Sequence, residues 1–242
     1  FVLTRLKENK NYDLLFKKVF GEKVFDNPKH AYTAMTESIA AFEKTNYFSP
    51  FNSKYDRYLK GQYELTEQED LGMTLFFSEQ FSNCNQCHQL KTRPAATKET
   101  FSNYTYHNIG VPVNQQVRTH NKTPSEYQDL GLYNHPKVKD SNAKGKFKVP
   151  TLRNIAITGP YMHNGVFKKL ETVVAFYNKY NSKNKLNQIN PETGEIWRAP
   201  EVNQNISLTE LQSGPALDNK RIKALVAFMK ILTDKQFEPL ID

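Results

Sequence analysis

Apolar residues recur at three- and four-residue spacing in five stretches of the chain, with polar residues filling the positions between them. That period places the apolar side chains on one face of an α-helix. The first two stretches, residues 11 to 20 (NYDLLFKKVF) and 30 to 44 (HAYTAMTESIAAFEK), read as amphipathic helices. The third, LTEQEDLGMTLFF, carries its own start signal: Thr66 stands as N-cap with Glu69 at the capping-box position, and Leu71, Leu75 and Phe76 follow at helical spacing. In the fourth, around LETVVAFYN, one face holds Leu170, Val173, Val174 and Tyr177. The fifth begins at Asp218 as N-cap and buries Ile222, Leu225, Val226 and Met229. Met73 and Met229 both fall on these core stripes. The expectation is an all-α fold.

Two regions lack this periodicity. Residues 91 to 148, with Pro94, Pro112, Pro124 and Pro136, read as long loops with short helices at most. So long an irregular stretch is anomalous in a compact domain unless it has a large apolar body to pack on. Residues 182 to 206 are polar and contain the turn signal NPETGE, so they are expected to form a surface insertion or hairpin. Trp197, the sole tryptophan, lies there and is expected to be an exposed loop aromatic or a partner contact.

The chemistry concentrates in SEQFSNCNQCHQLKTR, which holds both cysteines. Cys84, Cys87 and His88 form CxxCH, the spacing of c-type haem attachment. In one helical turn positions i and i+3 share a face, so two thiols can reach the two vinyl groups of one porphyrin. His88, one step on, is then the proximal iron ligand. A zinc site would need further Cys or His at knuckle spacing, and a dithiol redox pair a strand before it; neither is present. A covalently bound haem also supplies the body on which the loops of residues 91 to 148 can pack.

Composition narrows the remaining classes. At 242 residues the chain can bury a core without disulfides, and no apolar run has membrane-spanning length. The start, FVLTRLKENKNYDLLF, lacks the regions of a signal peptide and opens abruptly, as expected of a piece cut from something longer. The net charge of +8 is dispersed, with only short clusters at Lys144, Lys146 and Lys148 and at Lys168 and Lys169. No basic stripe with interleaved aromatics appears, so a nucleic-acid partner is disfavoured and an acidic protein partner preferred over it.

The ordered motifs SPFNSKYDRYLKG, LTEQEDLGMTLF, CNQCH, YHNIGV, GKFKVPTLRNIAITGPYMHNG, LETVVAFYN and LVAFMKILTD resemble the C-terminal haem domain of the bacterial dihaem cytochrome c peroxidases and MauG, from about residue 11 to 237. The resemblance implies a cytochrome c-like haem domain with long loops over residues 61 to 242. Residues 1 to 60 become a helical segment leading from an N-terminal haem domain that this chain does not contain. Family members carry two haems, and only one CxxCH occurs here. The second haem is therefore expected on a missing half or a separate subunit. In the family the N-terminal haem reduces peroxide and the C-terminal haem relays electrons, so the resemblance makes this chain the electron-handling half. Because haem c is attached outside the cytoplasmic membrane in this family, a periplasmic or otherwise exported location follows.

The sixth iron ligand sets the redox character. A thioether raises the potential, whereas a phenolate favours ferric or higher-valent iron. Tyr161, Met162, His163 and Tyr177 are the candidates by residue type. The peroxidases place a Met some fourteen to sixteen residues past their PYFHDG motif, where this chain has Tyr177 past PYMHNG, and MauG resembles this chain in having a Tyr there. Tyr177 is the expected ligand, with Met162 as its rival and a core aromatic as the plain alternative.

By the same resemblance, His163 would meet a propionate or the electron path, or be a structural histidine. Arg153 would pair with a propionate through its planar fork, or be structural. Thr158 and Pro160 would offer backbone carbonyls to a calcium ion. His107, His120 and His135 receive no role. The implied activity is peroxide-dependent, with an electron-donor protein or a protein substrate as partner. The alternative is a single-haem electron-transfer cytochrome in a larger exported complex.

Overall fold

Two neighbouring asparagine caps explain most of the N-terminal helices. The computed structural model describes residues 1–91 and 93–241, and it divides into two units, Phe1–Phe51 and Asn52–Asp242. In the first unit, α1 (Val2–Glu8), α2 (Lys10–Phe20) and α3 (Pro28–Glu43) match the two expected helices and add one. Asn9 ends α1 with its own backbone N–H, which donates to Leu6 O, and its side chain starts α2, Oδ1 accepting the N–H groups of Asn11 and Tyr12 at 3.0 and 3.3 Å. Asn27 does the same for α3, with Pro28 in the first turn. Helix α1 buries none of its residues, which is why no apolar period announced it. Only Val24, Ala31 and Ala34 are buried in this unit among the described residues.

The second unit contains α4 (Lys54–Tyr58), α5 (Glu67–Phe77), α6 (Gln115–His120), α7 (Leu170–Asn178), α8 (Leu208–Leu211) and α9 (Asn219–Lys230). It starts earlier than the expected boundary at residue 60. The reason is Tyr55, whose ring is fully buried and whose N–H donates to Ile231 O at 3.1 Å. Helix α5 begins with the anticipated capping box between Thr66 and Glu69. Helix α9 begins with Asp218 accepting from Arg221 N at 2.8 Å.

Helices α5 and α9 cross in direct backbone contact at Gly72. A Cβ added there would lie 1.9 Å from the Ala224 carbonyl oxygen, so only glycine permits the approach. Around this crossing, Tyr55, Phe76, Phe77, Phe101 and Phe228 form one aromatic cluster. Phe76 and Phe228 have ring centroids 5.0 Å apart, and Tyr55 and Phe101 stand edge to face at 5.2 Å. Each such ring contributes roughly 1.5 to 3 kcal/mol by leaving water.

The loop region contains the small departure from an all-α fold. Strands β1 (Tyr106–His107) and β2 (Phe147–Lys148) pair antiparallel, Tyr106 opposite Lys148 and His107 opposite Phe147. Side chains carry much of the remaining order, as buried irregular backbone requires. Ser102 Oγ donates to Val149 O at 2.7 Å, and Asn108 Nδ2 donates to Val202 O and Gln204 O at 3.0 and 2.7 Å.

The expected hairpin is present, with Ile189 bridging Ile196 across the NPETGE turn. The Glu192 carboxylate of that turn accepts from Lys168 N and Lys169 N, each at 2.9 Å, where α7 has no side-chain cap of its own. The expectation of an exposed Trp197 fails. Its ring packs against Phe167 and Phe176 at 5.6 and 5.5 Å, and its Nε1–H donates to Asn187 O at 3.0 Å. A side chain with that much apolar area and one donor satisfies both by folding back onto the core.

Candidate functional site

The CxxCH segment leaves α5 through Asn83, which adopts a left-handed backbone at φ 51°, and then makes one turn of 3₁₀ helix, Cys84–Gln86. Cys87 N and His88 N both donate to Cys84 O, at 3.3 and 2.9 Å. The turn therefore keeps the two thiols close in space, as the spacing required. Both cysteines are free thiols. Burial pushes both thiols up from their ordinary values, Cys87 to about 11.

His88 Nδ1 lies 3.2 Å from Phe101 O. A carbonyl only accepts, so a ring bonded to Phe101 O carries its proton on Nδ1, and the Pro150 backbone is a second hydrogen-bonding neighbour of this imidazole. Burial also keeps this imidazole neutral, holding its pKa down at about 4. Both features suit a metal-binding histidine.

A cavity of about 450 Å³ opens beside this turn, and Cys84, Cys87 and His88 all line it. The same cavity is lined by Leu170, Val173, Val174 and Tyr177, the face of α7 that the sequence period picked out. Leu225 and Met229 of α9 add to its apolar wall. Burial pushes the Tyr177 phenol up, with the charges of Cys87 and Cys84 as further causes. Among the described residues, the structure thus gathers two thiols, an imidazole and a phenol around one apolar space of the kind that takes a flat hydrophobic cofactor.

The other expected residues divide. Tyr161, Met162, His163, Thr158 and Pro160 also line the cavity. Met162 has a left-handed backbone at φ 69°. Tyr161 is held through its backbone, its N–H donating to Phe167 O at 2.6 Å. The His163 ring stacks on Phe147 at 3.5 Å between centroids, nearly parallel at 9°. His107 faces the cavity as well, its two ring nitrogens engaging Ser207 Oγ and Thr105 Oγ1 at 3.1 and 3.0 Å.

Arg153 is the exception. It does not line the cavity. Its fork grips Asp56, Nη1 to Oδ2 at 2.6 Å and Nη2 to Oδ1 at 3.0 Å, while Nε donates to Glu99 O at 2.8 Å. The planar fork finds a carboxylate supplied by α4, which accords with the structural alternative for this residue. Met229 was read only as core. It is core, 8% exposed, and it also presents to the cavity.

Known proteins resemble this chain along its whole length. The family model described as di-haem cytochrome c peroxidase matches residues 1–64. The methylamine utilization protein MauG of Paracoccus denitrificans is 47% identical over 241 residues, which is 100% of this chain and 62% of that protein. The cytochrome c551 peroxidase of Nitrosomonas europaea is 32% identical over 173 residues, 66% of this chain and 40% of that protein. Among solved structures, the diheme peroxidase BthA of Burkholderia thailandensis superposes with a TM-score of 0.80 at 26% identity, covering 99% of this chain and 60% of that one. The chain spans less than two thirds of the length of each of these relatives.

Proposed function

We propose, from the premise that this chain belongs to the dihaem cytochrome c peroxidase and MauG family, that it is the electron-relaying haem c half of an exported, peroxide-using oxidoreductase. The observation that carries this reading is the shared cavity: Cys84, Cys87, His88 and Tyr177 all line it, with an apolar wall from α7 and α9. When bound, haem c supplies an iron centre that accepts and passes on single electrons.

This chain's residues hold that centre and set its character. The Cys84 and Cys87 thiols, half-buried on one turn, would hold the haem through thioethers to its two vinyl groups. His88 Nε2 would ligate the iron, and the Nδ1–H bond to Phe101 O would orient the ring. Tyr177 Oη is the distal ligand in this reading. Burial raises its pKa in the apolar cavity, so the phenol holds its proton unless a cation stands beside it.

Leu170, Val173, Val174, Leu225 and Met229 exclude water from the site. His163, stacked on Phe147 at the cavity, would meet a propionate or an incoming electron in this reading. Thr158 and Pro160 would contribute to a calcium site through backbone carbonyls. Among the described residues no group of three or more His, Cys, Asp or Glu is arranged for a metal ion, so main-chain oxygens would have to contribute to such a site.

The partners in this proposal are a second haem domain, on the same or a separate polypeptide, and either an electron-donor protein or a protein substrate. Tyr177→Met tests the ligand assignment in the exported holoprotein. The ferric spectrum is expected to change and the midpoint potential to rise, because a thioether replaces a hard anion. An unchanged spectrum and potential would overturn it in favour of Met162 or another group. Haem counting tests the wider reading: two haems per holoprotein with peroxide turnover support it, and one haem inert to peroxide favours a plain electron-transfer cytochrome.

A further inference from the structure

The segment 99–103 is laid against the CxxCH turn by a set of local bonds. Asn103 N donates to Cys87 O at 2.9 Å, Asn103 Nδ2 donates to Gln86 O at 3.1 Å, and His88 Nδ1 donates to Phe101 O at 3.2 Å. At the centre of this seam lies Glu99, 1% exposed. Its Oε1 accepts from Leu90 N and from Phe101 N, both at 2.9 Å, and its Oε2 accepts from Lys91 N at 2.8 Å. Two of these donors lie two and three residues past His88, and the third belongs to the residue whose carbonyl accepts from the His88 ring.

The backbone at that residue needs holding. Phe101 is fully buried with φ 55°, a left-handed conformation that side chains with a Cβ adopt only when their surroundings impose it. Glu99 fixes Phe101 N, the aromatic cluster fixes its ring, and Arg153 fixes the Glu99 carbonyl while its guanidinium stands 5.2 Å over the Phe101 ring. What remains for Phe101 to present is its carbonyl oxygen, aimed at His88.

We propose that Glu99 is a positioning residue for the haem iron: its carboxylate locks the Leu90–Lys91 and Phe101 backbones together, holds the Phe101 carbonyl on His88 Nδ1–H, and so strengthens His88 as a donor to ferric iron. The inference rests on His88 being the proximal ligand. An imidazole whose N–H is firmly bonded is a more basic ligand, and a more basic ligand favours the ferric state. The negative charge of the carboxylate acts in the same direction. Arg153, read from the sequence as a propionate partner, instead belongs to the frame that supports this loop.

The test is Glu99→Gln in the full-length holoprotein, compared with the unsubstituted protein. Glutamine keeps the shape but has only one oxygen. If that oxygen takes the Oε1 place the bond from Lys91 N is lost, and if it takes the Oε2 place the bonds from Leu90 N and Phe101 N are lost. The expected result is full haem content with an upward shift of the midpoint potential and faster solvent exchange of the hyperfine-shifted His88 Nδ1–H proton. A variant with full haem content, unshifted potential and unchanged exchange overturns the inference.

The exchange rate of that proton in the unsubstituted protein decides the matter should the variant fail to fold: slow exchange is expected of a locked bond, and fast exchange overturns it. Failure of the underlying reading is visible separately. An unsubstituted holoprotein with haem but without a histidine-ligated iron signature removes the ligand assignment before Glu99 enters.

Discussion

The two units of this chain are built on opposite terms. In Phe1–Phe51 the helices are strong locally and weak globally: Asn9 and Asn27 cap them well, yet Leu14 and Val19 are 67% and 69% exposed and almost nothing is buried. In Asn52–Asp242 much of the backbone is irregular, yet Phe101, Phe176 and Phe228 are fully buried. The lesson is that regular secondary structure and a packed core are separate achievements. The second unit tolerates long loops because side-chain bonds and buried rings, rather than backbone ladders, hold them.

The sharpest way to break that contrast is at Gly72. Gly72→Val must force α5 off the Ala224 backbone, so the loss is expected to exceed about 4 kcal/mol, read as failure to accumulate folded protein or a collapse of the thermal midpoint. Next comes Arg153→Met, which strands the buried Asp56 carboxylate, 4% exposed, at a cost of about 3 to 5 kcal/mol by denaturant titration. Adding Asp56→Asn should recover much of that loss, since the penalty lies in the unpaired charge. Recovery of none of it would show that the fork acts through Glu99 O and Phe101 instead.

The first unit should answer on a smaller scale. Asn27→Ala removes one cap and is expected to cost about 1 kcal/mol. Leu14→Ser should change stability by no more than about 0.5 kcal/mol in this chain, because its side chain already meets water. A loss of several kcal/mol at Leu14 would mean that this face is covered in the protein being measured, and the contrast between the units would then belong to the isolated chain alone.

Some of this was legible in the sequence because its causes are short-ranged. The Thr66 and Glu69 capping box, the Asp218 cap and the CxxCH turn each depend on residues within one helical turn of each other, so spacing is enough to read them. The apolar face of α7 was legible for the same reason, and it carried Tyr177 to the cavity wall.

Other features were decided only by the fold. Arg153 takes a carboxylate 97 residues away, Trp197 folds back onto Phe167 and Phe176, and Met229 serves the core and the cavity together. The tautomer of His88 depends on a carbonyl 13 residues on, which reaches it only through the left-handed turn at Phe101. A residue type announces what it can bond, whereas the choice among distant partners waits on which surfaces the collapsed chain brings together. Local periods and caps were therefore set by the amino-acid order, and the pairing of charges, rings and the proximal imidazole by tertiary structure.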